Sequence, residues 1–176
     1  MKRIICLMLA ALLWGGLFGC HYSDSGDILE PVEFFYPRKS TNFVYGADDG
    51  VITSEIREAS GHTGDLNYLL SMYLRGPQDS ALRSPFPAGC KLEEVRTGGN
   101  TFCVVLSAEF AALENAELTL ACASLAKTCF SLSGMQRVRI DAESDERSIS
   151  MTLDESSLLL ADYSVFEVQP ATEAPQ

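Results

Sequence analysis

Two stretches with helical periodicity, set among stretches that alternate residue by residue, restrict this chain to an α/β architecture. Leu66, Leu69, Leu70, Tyr73 and Leu74 fall at i, i+3, i+4, i+7 and i+8, one face of a helix. Thr63 or Asp65 is placed to cap it, and Gly76-Pro77 stops it. Asn115 is expected to cap a second, longer helix reaching about Phe130, with Leu118, Ala121, Cys122, Leu125 and Cys129 inward and Gly134 at its end. The remaining segments read as strands. Val32 to Tyr36 is a first strand, ended by Pro37. Asn42 to Tyr45 and Ile52 to Glu58 form a hairpin around Asp48-Asp49-Gly50. In the second of these, Ile52, Ser54, Ile56 and Glu58 alternate with Thr53, Glu55 and Arg57, which leaves one face wet.

Cys90 to Arg96 and Thr101 to Leu106 form another hairpin through Thr97-Gly98-Gly99-Asn100. The strand carrying Phe102, Val104 and Leu106 on one side and Cys103 and Val105 on the other is apolar on both faces. It should therefore be central and covered. Arg137 to Asp141 and the alternating Ile149, Met151 and Leu153 add two strands. Asp154 to Leu160 reads as a short helix, and Tyr163 to Val168 as an extended piece. The expected fold is a mixed β-sheet with two main helices packed on it, a two-layer sandwich.

The N-terminus sets the compartment. Lys2 and Arg3 precede an uncharged apolar run from Ile4 to Trp14, then Leu17-Phe18-Gly19-Cys20. This pattern is that of a lipoprotein signal peptide spanning 1–19, cleaved so that Cys20 becomes the first, lipid-carrying residue. A transmembrane helix needs about 20 apolar residues, more than this run supplies. Several acyl chains such as palmitate on one cysteine anchor a protein stably. Residues 20–30, rich in Ser, Asp and Gly, read as a flexible tether; 31–168 as the folded domain; 169–176 as a disordered tail. The expected location is the outer face of the cell membrane.

Charge excludes one class of partner. The 176-residue chain carries a formal −11, and loss of Lys2 and Arg3 with the leader makes the mature chain −13. Such a surface repels nucleic acid and anionic headgroups, so attachment falls to the lipid. Of six cysteines, Cys6 leaves with the leader and Cys20 is lipidated. Cys90, Cys103, Cys122 and Cys129 lie in apolar runs and read mostly as small buried hydrophobes, with a bridge between the long helix and the sheet left open. With the hairpin centred on Gly98-Gly99, Cys103 faces Glu94.

Catalytic chemistry finds little support. There are two histidines, His21 in the tether and His62 in a Gly-flanked loop. A Cys–His pair using His62 would need a reactive thiol, and the cysteines read as buried and inert. No Cys-x-x-Cys or His-x-x-x-His spacing is present for zinc. Asp48-Asp49 reads as a turn, and Glu143, Asp145 and Glu146 as a solvated loop, rather than as calcium ligands. Glu55 and Glu58 are an odd number apart on a strand and point to opposite faces, so they are no acid/base pair. No cofactor, metal or catalytic residue is expected. Tyr73, Arg75 and Phe86, beside Ser84-Pro85-Phe86-Pro87, form a candidate interaction surface; the alternative is that they staple the helix to the hairpin.

Several motifs resemble the GerMN domain of sporulation and germination proteins, over about Val32 to Glu143. They are Leu74-Arg75-Gly76-Pro77, Ser84-Pro85-Phe86-Pro87-Ala88-Gly89 and Leu106-Ser107-Ala108-Glu109-Phe110, with Tyr36-Pro37 and Glu55-Ile56-Arg57. Leu106 replaces the family's usual Phe, Val105 its Asp, and Cys90 its Thr. The resemblance implies a fold similar to ring-building domains and an exported, tethered, non-enzymatic protein. Its role would be scaffolding or interaction, through protein partners or self-association, with an exposed sheet edge open to strand addition. The alternative is a peptidoglycan- or peptide-binding envelope module.

Overall fold

The computed structural model describes residues 30–40 and 50–161. The leader, Cys20, the Asn42–Tyr45 strand, Asp48-Asp49, the Tyr163–Val168 piece and the tail lie outside the described residues. Among these residues six strands make two sheets, and three α-helices and a 3-10 helix pack with them. Among the described residues no helix is long and apolar enough to cross a membrane.

The first sheet is a two-stranded ribbon of β1 (Pro31–Pro37) and β2 (Ile52–Glu58). They pair antiparallel without a slip, from Pro31 opposite Glu58 to Pro37 opposite Ile52. Alternation on β1 turns Val32, Phe34 and Tyr36 into the core. On β2 the alternation runs against hydropathy. Arg57 is buried while Ile56 is 72% exposed.

α1 (Leu66–Leu74) buries Leu69, Leu70, Met72 and Tyr73. Of the two expected caps it is Asp65 that serves, its carboxylate accepting the Tyr68 N–H at 3.0 Å. Gly76 ends the helix at φ 92°, a left-handed conformation that a Cβ would strain, with its N–H on the Tyr73 carbonyl.

The second sheet has the order β3-β4-β5-β6, from β3 (Leu92–Gly98), β4 (Thr101–Leu106), β5 (Arg137–Glu143) and β6 (Ser148–Asp154). It is mixed: β4 and β5 are parallel, the outer pairs antiparallel. The hairpin turns on Gly99-Asn100, one residue later than expected, so Cys103 lies opposite Arg96 instead of Glu94. β4 is central as expected, but only one of its faces is covered. Phe102, Val104 and Leu106 are fully buried, whereas Cys103 and Val105 are half-buried. The reason lies in β5, whose Arg139 and Asp141 pair with Cys103 and Val105 and make that face polar.

The parallel crossover between β4 and β5 runs through α2 (Ala108–Ala111), a short helix not anticipated from the sequence, and α3 (Asn115–Ser133). α3 starts with Glu114 at the cap position and Asn115 at φ 49°, so Asn115 is the first helical residue instead of the cap. Ala121, Cys122, Leu125 and Cys129 face inward, with Leu118 partly buried. Gly134, left-handed, closes the end by donating to the Phe130 carbonyl. A 3-10 helix (Glu155–Ala161) follows β6.

One aromatic chain links these layers. Tyr73 lies 5.6 Å from Phe34, 4.8 Å from Tyr36 and 5.3 Å from Phe86, ring centre to ring centre, and Phe86 lies 6.2 Å from Phe110. β1, α1, the proline-rich loop and α2 are thus held through one tyrosine.

Candidate functional site

The most unusual chemistry in the domain is a buried ion pair. Arg57 and Glu55 lie two apart on β2, on its inner face, with side chains 5% and 10% exposed, and the Arg57 Nε–H donates to Glu55 Oε1. Taking both charges out of water is costly unless every donor and acceptor is matched. Here the matching groups are backbone atoms at the end of α1. The Arg57 guanidinium donates to the carbonyls of Met72 at 3.3 Å and Gly76 at 2.6 Å. It also donates to the Tyr36 hydroxyl at 3.3 Å, which in turn donates to the Tyr73 carbonyl at 2.8 Å. Glu55 accepts the N–H groups of Gln78 and Asp79, each at 2.9 Å.

The pair therefore satisfies the orphan carbonyls of a helix C-terminus and the first amides of the loop beyond it. The guanidinium also lies 5.3 Å from the ring centre of Phe34 and 5.6 Å from that of Tyr36. Burial, only partly offset by Arg57, pushes the Tyr36 hydroxyl well above the usual phenol range, so it stays a neutral donor. Three separate sequence motifs converge on this point: Tyr36-Pro37, Glu55-Ile56-Arg57 and Leu74-Arg75-Gly76-Pro77. Reading each alone gave no sign of the ion pair.

A second knot closes the edge of β1 away from β2. The Phe35 N–H donates to Thr128 Oγ1 of α3 at 2.9 Å, and the Phe35 carbonyl accepts the Tyr73 hydroxyl at 2.8 Å. The Pro37 carbonyl accepts the Arg83 N–H at 2.9 Å. At Phe35 and Pro37 that edge is closed to an added strand. Burial raises the Tyr73 hydroxyl far above its ordinary value.

The expected interaction residues divide. Tyr73 is completely buried and Phe86 nearly so, in edge-to-face contact, so neither presents a surface; they staple the helix to the loop and to α2. Arg75 is exposed, beside a polar cleft that also meets Arg57, Met72, Gly76 and Gln78. Glu58 points away from Glu55 into solvent.

The four cysteines of the domain are free. Cys122 and Cys129 are buried hydrophobes, while Cys90 and Cys103 are half-buried. Burial raises all four thiols: Cys90 to about 11, Cys122 to about 12, and Cys129 further still. For Cys103 the hydrogen bond to Asp141, at 3.5 Å, adds to the effect of burial. Thiols held in this form are poor nucleophiles. Asp141 is buried enough to disfavour charge, but hydrogen bonds from Ser150, Arg139 and Cys103 outweigh this and hold it below the usual carboxylate range. His62 stacks on Tyr68 with ring centres 4.0 Å apart, and Tyr68 is 37% exposed. Among the described residues no three His, Cys, Asp or Glu side chains gather as a metal site.

Residues 39–148 match the profile of the Germane family, described as sporulation and spore germination. This is more than half of the chain. The chain belongs to the Germane family. The match takes in β2, α1, the β3–β4 hairpin and the crossover to β5, so the Glu55–Arg57 pair and the helix end it holds lie within the Germane region. This agrees with the GerMN-like motifs in the sequence. No curated protein matches the chain. Among solved structures, a candidate lipoprotein from Clostridium perfringens aligns with 14% identity and a TM-score of 0.47, over 77% of this chain and 95% of that one.

Proposed function

We propose that this Germane protein is a lipid-anchored, non-enzymatic scaffold of the cell envelope that works by protein contact in sporulation or germination. The family match over residues 39–148 is the observation that carries this reading. The chemistry of the domain supports it. The buried Glu55–Arg57 pair is consumed in holding a helix end, with its polar atoms directed at backbone groups. The cysteines are kept as thiols by burial, and His62 is stacked against a tyrosine. These are features of a domain that keeps a shape. The leader ending in Cys20, with the acidic charge of the mature chain, supports attachment by lipid at the outer face of the membrane.

Fractionation tests the anchor: Cys20→Ser should leave the membrane fraction, and a variant that stays membrane-bound refutes it. Crosslinking in cells undergoing sporulation tests the scaffold, which should be recovered in a defined protein complex or as an oligomer. The alternative, a peptidoglycan- or peptide-binding envelope module, requires the purified chain to sediment with isolated peptidoglycan and to form no such complex.

A further inference from the structure

A groove runs between β1, α3 and the terminal 3-10 helix. Its floor and walls are Phe35, Phe130 and Leu158, with Lys127, Glu33 and Glu155 at the rim, and its volume is about 440 Å³. The lining is mostly apolar, on a strongly acidic protein. Lys127 lies over the Phe35 ring at 5.5 Å, which leaves a cation at the mouth of the groove. On the outer face of the ribbon the exposed Ile56 sits opposite Glu33 of the groove rim. Contiguous exposed apolar surface is costly for a soluble domain and marks a place where something docks.

The chain itself supplies an occupant. The 3-10 helix that contributes Leu158 to the groove wall ends at Ala161. The next residues are Asp162-Tyr163-Ser164-Val165-Phe166-Glu167-Val168, followed by a polar end from Gln169 to Gln176. The apolar residues are thus concentrated in the part that leaves the groove wall. Seven extended residues reach at most about 25 Å, enough to cross a groove that begins within one turn of the last helix. Lys127 offers Asp162 and Glu167 one countercharge, while Glu33 and Glu155 at the same rim oppose them, so the docking rests on the apolar side chains. A short linker also gives the segment an effective concentration in the millimolar range, on the order of 10³ above that of a second copy at micromolar concentration.

We propose that the segment Asp162 to Val168 folds back into this groove and covers Phe35 and Phe130 with its own apolar side chains. This inference is independent of the scaffold reading. The test uses the full chain purified from membranes in detergent. A benzophenone amino acid replaces Tyr163 in one protein and Phe166 in another. Irradiation should give a crosslink within the monomer, to the peptide holding Phe35 or to that holding Lys127 to Ser131. A crosslinked dimer, a crosslink elsewhere on the chain, or none from either position overturns the proposal. Covering should also slow acylation of Lys127 by an amine reagent. Phe166→Asp, and separately a chain ended after Ala161, should raise that rate by about tenfold, equivalent to ~1.4 kcal/mol of docking. An unchanged rate in Phe166→Asp, with the far-UV circular dichroism retained, refutes it without relying on the truncated chain.

Discussion

Replacing Arg57 by methionine, which keeps the apolar stem and removes the charge, should destabilise the domain more than any exposed substitution. Three consequences combine. The Met72 and Gly76 carbonyls lose their donor, the Tyr36 hydroxyl loses a partner, and Glu55 is left 10% exposed without a countercharge. Removing one partner of a buried pair costs about 3–5 kcal/mol. Glu55 keeps the Gln78 and Asp79 amides, so the expected cost is at the lower end, ~3 kcal/mol. In urea, with a slope of about 2 kcal/mol per molar, the midpoint should fall by about 1.5 M at unchanged slope. Arg57→Lys should recover less than half of this, because a point charge cannot serve the carboxylate, two carbonyls and a hydroxyl together. Replacing both residues by leucine should not rescue stability, although buried pairs elsewhere tolerate such exchange. This pair is matched to backbone groups that leucine leaves unsatisfied. A loss below ~1 kcal/mol for Arg57→Met would place the pair among ordinary surface bridges and deny it any part in holding the end of α1.

Tyr73→Phe should cost ~1–1.5 kcal/mol by urea unfolding, since it removes the donor to the Phe35 carbonyl and leaves the aromatic packing intact. Ser124→Ala should be neutral or stabilising by up to ~1 kcal/mol, because the Ser124 hydroxyl is fully buried and unpartnered; a clear loss in the same assay would reveal a partner. Stability should fall as pH rises above the ordinary thiol range. A group whose proton is held more tightly in the folded state contributes fully below its unfolded pKa and loses that contribution as pH climbs toward the folded value. Burial raises Cys122 from 9.0 to about 12, so by about pH 10 its share of the loss is ~1 kcal/mol, and Cys122→Ala in reductant should flatten the decline by that amount.

Much of the fold was legible. Helix α1 followed from spacing alone because a single apolar stripe with a capping Asp65 and a closing Gly76 leaves few alternatives. The strands β5 and β6 were as plain, through Val138, Ile140, Ile149 and Met151. The ribbon was not, since alternation on β2 does not say which face is wet. The answer depends on carbonyls of Met72 and Gly76 that no residue-level pattern records. The hairpin slipped by one position because Gly98-Gly99 and Gly99-Asn100 are both good turn pairs, and the observed register, with Gly98 opposite Thr101, uses the second. The candidate surface met a similar ambiguity. Tyr73 and Phe86 have the composition of an interface, yet the same aromatic character suits an interior, and only Arg75 reaches solvent.

The backbone carbonyl of Phe35 is completed by Tyr73, 38 residues on, and its N–H by Thr128, 93 residues on. Synthesis runs from the N-terminus, so β1 is made first among the strands and its backbone edge waits for nearly the whole domain. Contacts at such separation form late and slow the search for the native state. Until α3 has emerged, that strand presents unpaired amide and carbonyl groups to any neighbouring chain, the condition under which nascent proteins aggregate. Thr128→Val keeps the shape of that side chain but leaves the Phe35 N–H without its acceptor, so the edge would stay open in the finished protein as it is in the nascent one.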